Sequence, residues 1–387
     1  MANNKTQKVH FVASGDPEGF GAKAEQQALR ELALQPLVAA SLEGVPDTVF
    51  VQVSKAIPEL QWPDVLRLAQ LHNVLYRIIR KWQNVVENGF DDCPPGAQII
   101  HDYEVNAAVA GMLQRKHSDV LSMVAEKLAA SVSSVAVLKS QVLAERYWRG
   151  QEERVSSDID FLIKLSDMPA AVTAMEDLGY RPVAQRLNAL SKWRYPDAKF
   201  LPPVDSPSFP MVEIHWLAAY GFGTRLDTNQ LLDRAVVFTR PDQQKVWVLE
   251  PHDEFLMLSI HGAKHQFERM FWLYDLVLLL EKESLQPDLL WKRAKEASAT
   301  NVLRYTLAQL EIQLNYDTRA LLGGSSERKA AAPFVLKLER SILTKPLWGV
   351  QTKLLRMVFN LMLATSWRGK AHYLYERGAA AVSRFLP

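Results

Sequence analysis

The segment Ser157-Asp158-Ile159-Asp160-Phe161-Leu162-Ile163 constrains the chain most tightly. Ile159 to Ile163 is a short apolar run of the length and composition of a buried strand. A strand projects residues i and i+2 from the same face, so Asp158 and Asp160 stand side by side. Left alone, two such carboxylates repel and the pKa of one rises. A hard divalent cation resolves that conflict. Mg²⁺ (or Mn²⁺) is the expected one, held by one or two carboxylates and by substrate phosphates. The plainer alternative is two solvated acids at a strand edge.

The surroundings narrow the choice. Ser133 to Leu138 reads as a strand, and an amphipathic stretch runs from Gln141 to Trp148. Lys139-Ser140 lies between them. A helix starting there offers free backbone N–H groups to a phosphate, and the Ser140 hydroxyl and Lys139 ammonium add donors. Equally, they read as a surface lysine and an ordinary N-cap serine. Val212 to Trp216 reads as a further strand on which Glu213 and His215 share a face. There, a third acid completes a two-metal site and activates an attacking hydroxyl. Val246 to Leu249 is a fourth expected strand. Met168 to Leu178 reads as a helix with Gly179 at its C-cap.

These elements place an α+β core over residues 131–250, with a flexible polar tail at 1–20 and a helical region over 21–130. A C-terminal helical domain is expected over 251–387. Its helices start at Pro251 and Met270 and continue at about 287–297, 301–315, 327–343 and 347–364. His261 and His265 are four apart and share a helix face. Packing against the sheet is the first expectation for them and for Asp275. Transition-metal binding ranks behind it.

Composition excludes several classes. The single cysteine, Cys93, rules out an intrachain disulfide and suits a reducing, cytoplasmic setting. A formal net charge of +2 argues against a long nucleic-acid partner. No signal-peptide pattern opens the chain, and no apolar run is long enough to span a bilayer. The basic stretch Lys353–Arg384 reads as a capping helix with a charged face. A membrane-surface scaffold is the less favoured reading.

Val135-Ala-Val-Leu-Lys-Ser-Gln-Val-Leu-Ala-Glu-Arg-Tyr147, the Ser157–Ile163 strand and Leu178-Gly-Tyr-Arg181 together resemble the DNA polymerase β-type nucleotidyltransferase superfamily. More narrowly, the chain is similar to a bacterial branch of uncharacterised nucleotidyltransferases. Glu213-Ile-His-Trp216, His261-Gly-Ala-Lys-His265 and Trp272-Leu-Tyr-Asp275 match that branch's later motifs. The resemblance covers roughly residues 100–285. It implies a polymerase β-like core in which Asp158, Asp160 and Glu213 hold the catalytic divalent metals. Lys139, Ser140, Ser157 and Lys264 then face a nucleoside triphosphate. The resemblance also implies a place for Lys264 or His265 lining the nucleotide cleft, ahead of transition-metal binding. The implied reaction transfers a nucleoside monophosphate to an unknown small-molecule, sugar or protein acceptor and releases pyrophosphate. One departure stands out: the branch carries Lys-Gly where this chain has Lys139-Ser140. If the turn needs φ > 0, serine is a handicap, and a non-catalytic binding or regulatory protein is the alternative.

Overall fold

The computed structural model describes residues 34–42, 44–183, 197–322, 335, 337 and 350–382. The tail expected at 1–20, most of the helix expected at 327–343 and Arg384 lie outside these residues.

Four helices come first: α1 (Leu34–Ala40), α2 (Asp47–Lys55), α3 (Trp62–Leu71) and α4 (Leu75–Glu87). Helix α4 shows why they pack. Leu75, Ile78, Ile79, Trp82 and Val85 recur at helical spacing and are all buried. Cys93 is buried too, which pushes its thiol pKa up and makes it less reactive. Helix α5 (Ala97–Ser131) then runs for 35 residues, about 50 Å at 1.5 Å per residue.

Strand β1 (Val135–Val137) and helix α6 (Ser140–Tyr147) follow, then β2 (Asp158–Ile163) and helix α7 (Met168–Asp177). Gly179 has φ +79°, which closes α7 as its spacing predicts. Strands β3 (Arg181–Pro182), β4 (Asp197–Leu201) and β5 (Met211–His215) lead to the short helix α8 (Thr228–Asp233). Strands β6 (Val236–Thr239) and β7 (Lys245–Val248) complete the sheet. The sequence reading anticipates β1, β2, β5 and β7. Strands β3, β4 and β6 are additions.

The seven strands lie in the order β3-β4-β5-β2-β1-β7-β6. β2 is parallel to β5 and antiparallel to β1, so the sheet is mixed. Its two faces have different fates. Ile159, Phe161, Ile163, Val212 and Ile214 pack on one side with Val120, Leu121 and Val124 of α5 and Ala171 and Met175 of α7. Leu162 and Ala136 point the other way and join a larger helical core. That core also takes in Leu37 and Leu66 from the N-terminal helices.

The C-terminal helices contribute the rest of it. They are α9 (Pro251–Lys264), α10 (Met270–Lys282), α11 (Pro287–Glu296), α12 (Thr300–Leu314), α13 (Val350–Leu363) and α14 (Trp367–Val382). Helix α9 starts as its sequence predicts, with Pro251 in the first turn and the Glu250 side chain accepting from the His252 N–H.

Candidate metal and nucleotide site

Strand register builds the site. Asp160 lies directly across from Glu213, and Leu162 across from His215. On the other side of β5, Lys199 faces Glu213 and Asp197 faces His215. With side chains alternating between faces, Asp158, Asp160, Glu213, His215, Asp197 and Lys199 all project from one side. The segment entering β2 is fixed from behind by Gln114 of α5. Its amide donates to the Ser156 carbonyl at 2.9 Å and its oxygen accepts the Ser156 N–H at 3.0 Å.

Like charges directly opposite each other in a sheet repel, so Asp160 and Glu213 need compensation. Lys139 Nζ sits 3.3 Å from Asp160 Oδ1. Lys199 pairs with Glu213 across the strands. His215 Nε2 lies 2.8 Å from Asp160 Oδ1 and 3.6 Å from Glu213 Oε2. Burial opposes ionisation of Asp160, but Lys139 and His215 outweigh it and hold the carboxyl well below the usual range. An ionised Asp160 has no proton to give, so His215 Nε2–H donates. Asp158 moves the other way. Burial first, then the Asp160 charge, pushes it up to about 6, although the Ser156 hydroxyl donates to Oδ1 at 3.1 Å.

Helix α9 closes the far side. Lys264 Nζ is 3.4 Å from the centroid of the Tyr220 ring. Burial brings its pKa down to about 8, with Asp197 and Glu213 pulling up against Lys139 and Lys199. His261 and His265 are neutral. Burial, with Lys139 nearby, keeps His261 well below its ordinary value, and burial with Lys264 and Lys139 brings His265 down to about 4. Their rings lie 5.0 Å apart and both pack on Trp272. The contact is between helices α9 and α10, whereas the sequence reading expects packing against the sheet. Neither enters a metal-ligand cluster among the described residues.

The Lys139-Ser140 turn does need positive φ. Lys139 has φ +27° and ψ −146°, and Ser140 has φ +59°. Each such residue costs about 1–3 kcal/mol. For Ser140 the side chain returns much of that cost: its hydroxyl donates to Asp160 Oδ2 at 3.1 Å. A hydrogen bond to a charged group contributes about 1.5–3 kcal/mol. The serine is therefore a different solution at this turn, in which lost glycine freedom is offset by a tie to the central carboxylate. The expected effect of Ser140→Gly is a change in thermal stability of under about 1 kcal/mol, since strain relief and bond loss oppose. A melting curve measures it.

The ligand atoms of Asp160, Glu213 and His215 lie within 4.8 Å of one another. Asp158, whose strand partner is Met211, two residues before Glu213, stands outside that group. Ser157 is exposed at the mouth of β2. Asp275 is not in the cluster. It is fully buried and receives two N–H groups from Arg154 and one from Trp148. Sequence reasoning missed Asp197 and Lys199, although Asp-Ala-Lys-Phe alternates polar and apolar residues. It also missed Arg154, whose partner is distant in sequence. A separate cavity of about 270 Å³, lined by Arg77, Arg80, Lys81 and Glu153 among others, lies between α4 and the 149–153 segment, away from the sheet carboxylates.

Two carboxylates on one face fit a divalent cation, and His215, with its Nε2–H given to Asp160, acts on the carboxylate and not on the ion. A mixed sheet bearing an Asp-x-Asp strand beside a second acidic strand, with a helix opening over them, is the α+β arrangement of a nucleotidyltransferase-type protein. The model of an uncharacterised nucleotidyltransferase family matches residues 58–315, more than half of the chain, and the chain belongs to that family. A comparison with curated proteins finds no match. No helix among the described residues is long and apolar enough to cross a membrane.

Proposed function

We propose that this protein is a metal-dependent nucleotidyltransferase that moves a nucleoside monophosphate from a nucleoside triphosphate to a hydroxyl-bearing acceptor. The observation that carries the reading is the Asp160–Glu213 cross-strand pair beneath the first turn of α6. Asp160 and Glu213, with Asp158 beside them, are the residues that would hold a divalent cation, and His215 orients Asp160. The bound ion supplies charge neutralisation to the phosphates and lowers the pKa of the attacking hydroxyl. The α6 N-terminus, Lys139 and Lys264 receive the triphosphate oxygens. The acceptor oxygen forms a bond to the α-phosphorus, the bond from that phosphorus to the β-phosphate oxygen breaks, and pyrophosphate leaves. The proton of the acceptor hydroxyl passes to Asp158 or to water. The acceptor class stays open among small molecules, sugars and proteins.

The test is incubation with Mn²⁺ or Mg²⁺ and α-labelled triphosphates, reading label transfer and pyrophosphate. Absence of metal-dependent triphosphate binding in the wild type would sink this reading in favour of a non-catalytic role. A second expectation concerns pH. Lys264 carries its charge below about 8, so triphosphate affinity holds up to that pH and weakens as pH rises through it. Lys264→Met removes this limb from the titrated binding curve and lowers affinity below pH 8.

Helix α14 supports an accessory membrane-surface contact. Trp367, Leu374 and Tyr375 are 81%, 47% and 62% exposed and share a face, with exposed Arg368 adjoining Trp367. Trp367→Ser/Tyr375→Ser is expected to reduce flotation with anionic liposomes. Equal recovery of wild type with anionic and neutral vesicles would count against it.

A further inference from the structure

The Lys139-Ser140 turn holds two successive residues at positive φ, and neither is glycine. Such backbone persists only where its surroundings over-determine it. Three contacts come from Asp160: its carbonyl accepts the Leu138 N–H at 2.9 Å, and its carboxylate takes the Ser140 hydroxyl and the Lys139 ammonium. These act on the strand side. The fourth contact comes from behind. Arg154 Nη1 donates to the Ser140 carbonyl at 2.9 Å and so fixes the peptide plane between Ser140 and Gln141.

Arg154 is itself fully committed. Its Nε and Nη2 donate to the two oxygens of Asp275 at 2.7 and 2.9 Å, a planar fork that sets the guanidinium orientation. Trp148 Nε1 donates to Asp275 Oδ1 at 2.9 Å, and the guanidinium lies over the Phe271 ring. Arg154 is 4% exposed and Asp275 0%. The aromatic-Asp segment of α10 is thereby linked, through one arginine, to the backbone of the turn.

We propose that Arg154 is a positioning residue, oriented by Asp275, that holds the Lys139-Ser140 turn in the conformation that receives the triphosphate. The proposal rests on the nucleotidyltransferase reading for its functional consequence, but the hold on the turn is independent of it. Removing the arginine alone strands a buried carboxylate, so the primary variant replaces both partners by apolar residues, Arg154→Met/Asp275→Leu. Paired replacement of a buried ion pair is often neutral in stability. Arg154→Lys is the second variant: it keeps the charge and loses the fork.

Three readouts separate the outcomes. Thermal melting reports the fold. Hydrogen exchange of the amides of residues 139–142, without nucleotide, reports the turn. Titration with Mn²⁺ and a fluorescent ATP analogue reports binding. Expected are a near-wild-type melt, at least tenfold faster exchange at the turn with β2 unchanged, and at least tenfold weaker binding. Wild-type exchange at the turn in a folded variant overturns the proposal, and so does unchanged affinity where the wild type binds. If the wild type binds no triphosphate, the functional reading fails while the exchange comparison still decides the hold on the turn. If the double variant does not fold, Arg154→Lys carries the same comparison.

Discussion

Asp160→Asn is expected to lower nucleotidyl transfer by about a thousandfold while leaving the fold intact. The magnitude follows from losing several kcal/mol of charge stabilisation at the reacting phosphates, at tenfold per 1.36 kcal/mol. The fold survives because asparagine's oxygen still accepts from His215, while its NH₂ takes the place of the oxygen that Ser140 binds and donates to the Ser140 hydroxyl, which can accept as well as donate. Lys139 retains Asp158 and Glu213 nearby, both of which raise its pKa. A second signature accompanies the loss. Asp158 is raised by burial and then by the Asp160 charge, so neutralising residue 160 lowers the Asp158 pKa. Carboxylate titration by NMR reads this directly. Activity within tenfold of wild type removes Asp160 from the catalytic role.

Gly262→Ala is expected to destabilise the protein by about 2–3 kcal/mol, the scale of an overpacked core. A Cβ at this position meets Phe267 Cε1 at 2.2 Å and Cδ1 at 2.7 Å. The ring has little room to retreat. Phe267 is 7% exposed, its rings and those of Tyr305 are 5.8 Å apart, and its N–H is tied to the Gly262 carbonyl at 2.8 Å. Gln266 and Phe267 also hold φ of +58° and +47°, so the chain folds back sharply here. Displacing the ring disturbs the end of α9, where Lys264 sits, and triphosphate binding is expected to weaken with stability. Phe267→Leu in the alanine background makes room for the methyl and is expected to return part of the melting temperature. No recovery would mean that the clash lies elsewhere.

Much of the site is readable from local pattern. Asp158, Asp160 and Glu213 stand out because polar residues interrupt otherwise apolar strands at a spacing of two. The turn stands out because a strand and a helix meet at Lys139-Ser140. What the pattern lacks is register. Sequence reasoning groups Asp158 with Asp160 and Glu213, whereas pairing Asp160 to Glu213 brings His215 closer than Asp158. Lys199 and Asp197 sit on a five-residue strand, too short for its polar–apolar alternation to stand out. Arg154 and Asp275 are 121 residues apart, and no local rule joins them. The helices expected from Pro251, from Met270 and at about 287–297, 301–315 and 347–364 are legible because their apolar faces are long, while most of 327–343 lies outside the described residues. Strand β3, with two residues, has almost no pattern to read.

The pairing of β2 with β5 also governs when the site can form. Asp160 and His215 are 55 residues apart, and Lys264 comes later still. Strand β1 waits for β7 as its parallel neighbour. A chain emerging from the ribosome therefore carries its acidic pair, with Lys139 already made, for many residues before His215 arrives. Contacts of such long range form late and slowly. Until β5 pairs with β2, Asp160 faces neither Glu213 nor His215, so this carboxylate cluster reports on completion of the sheet.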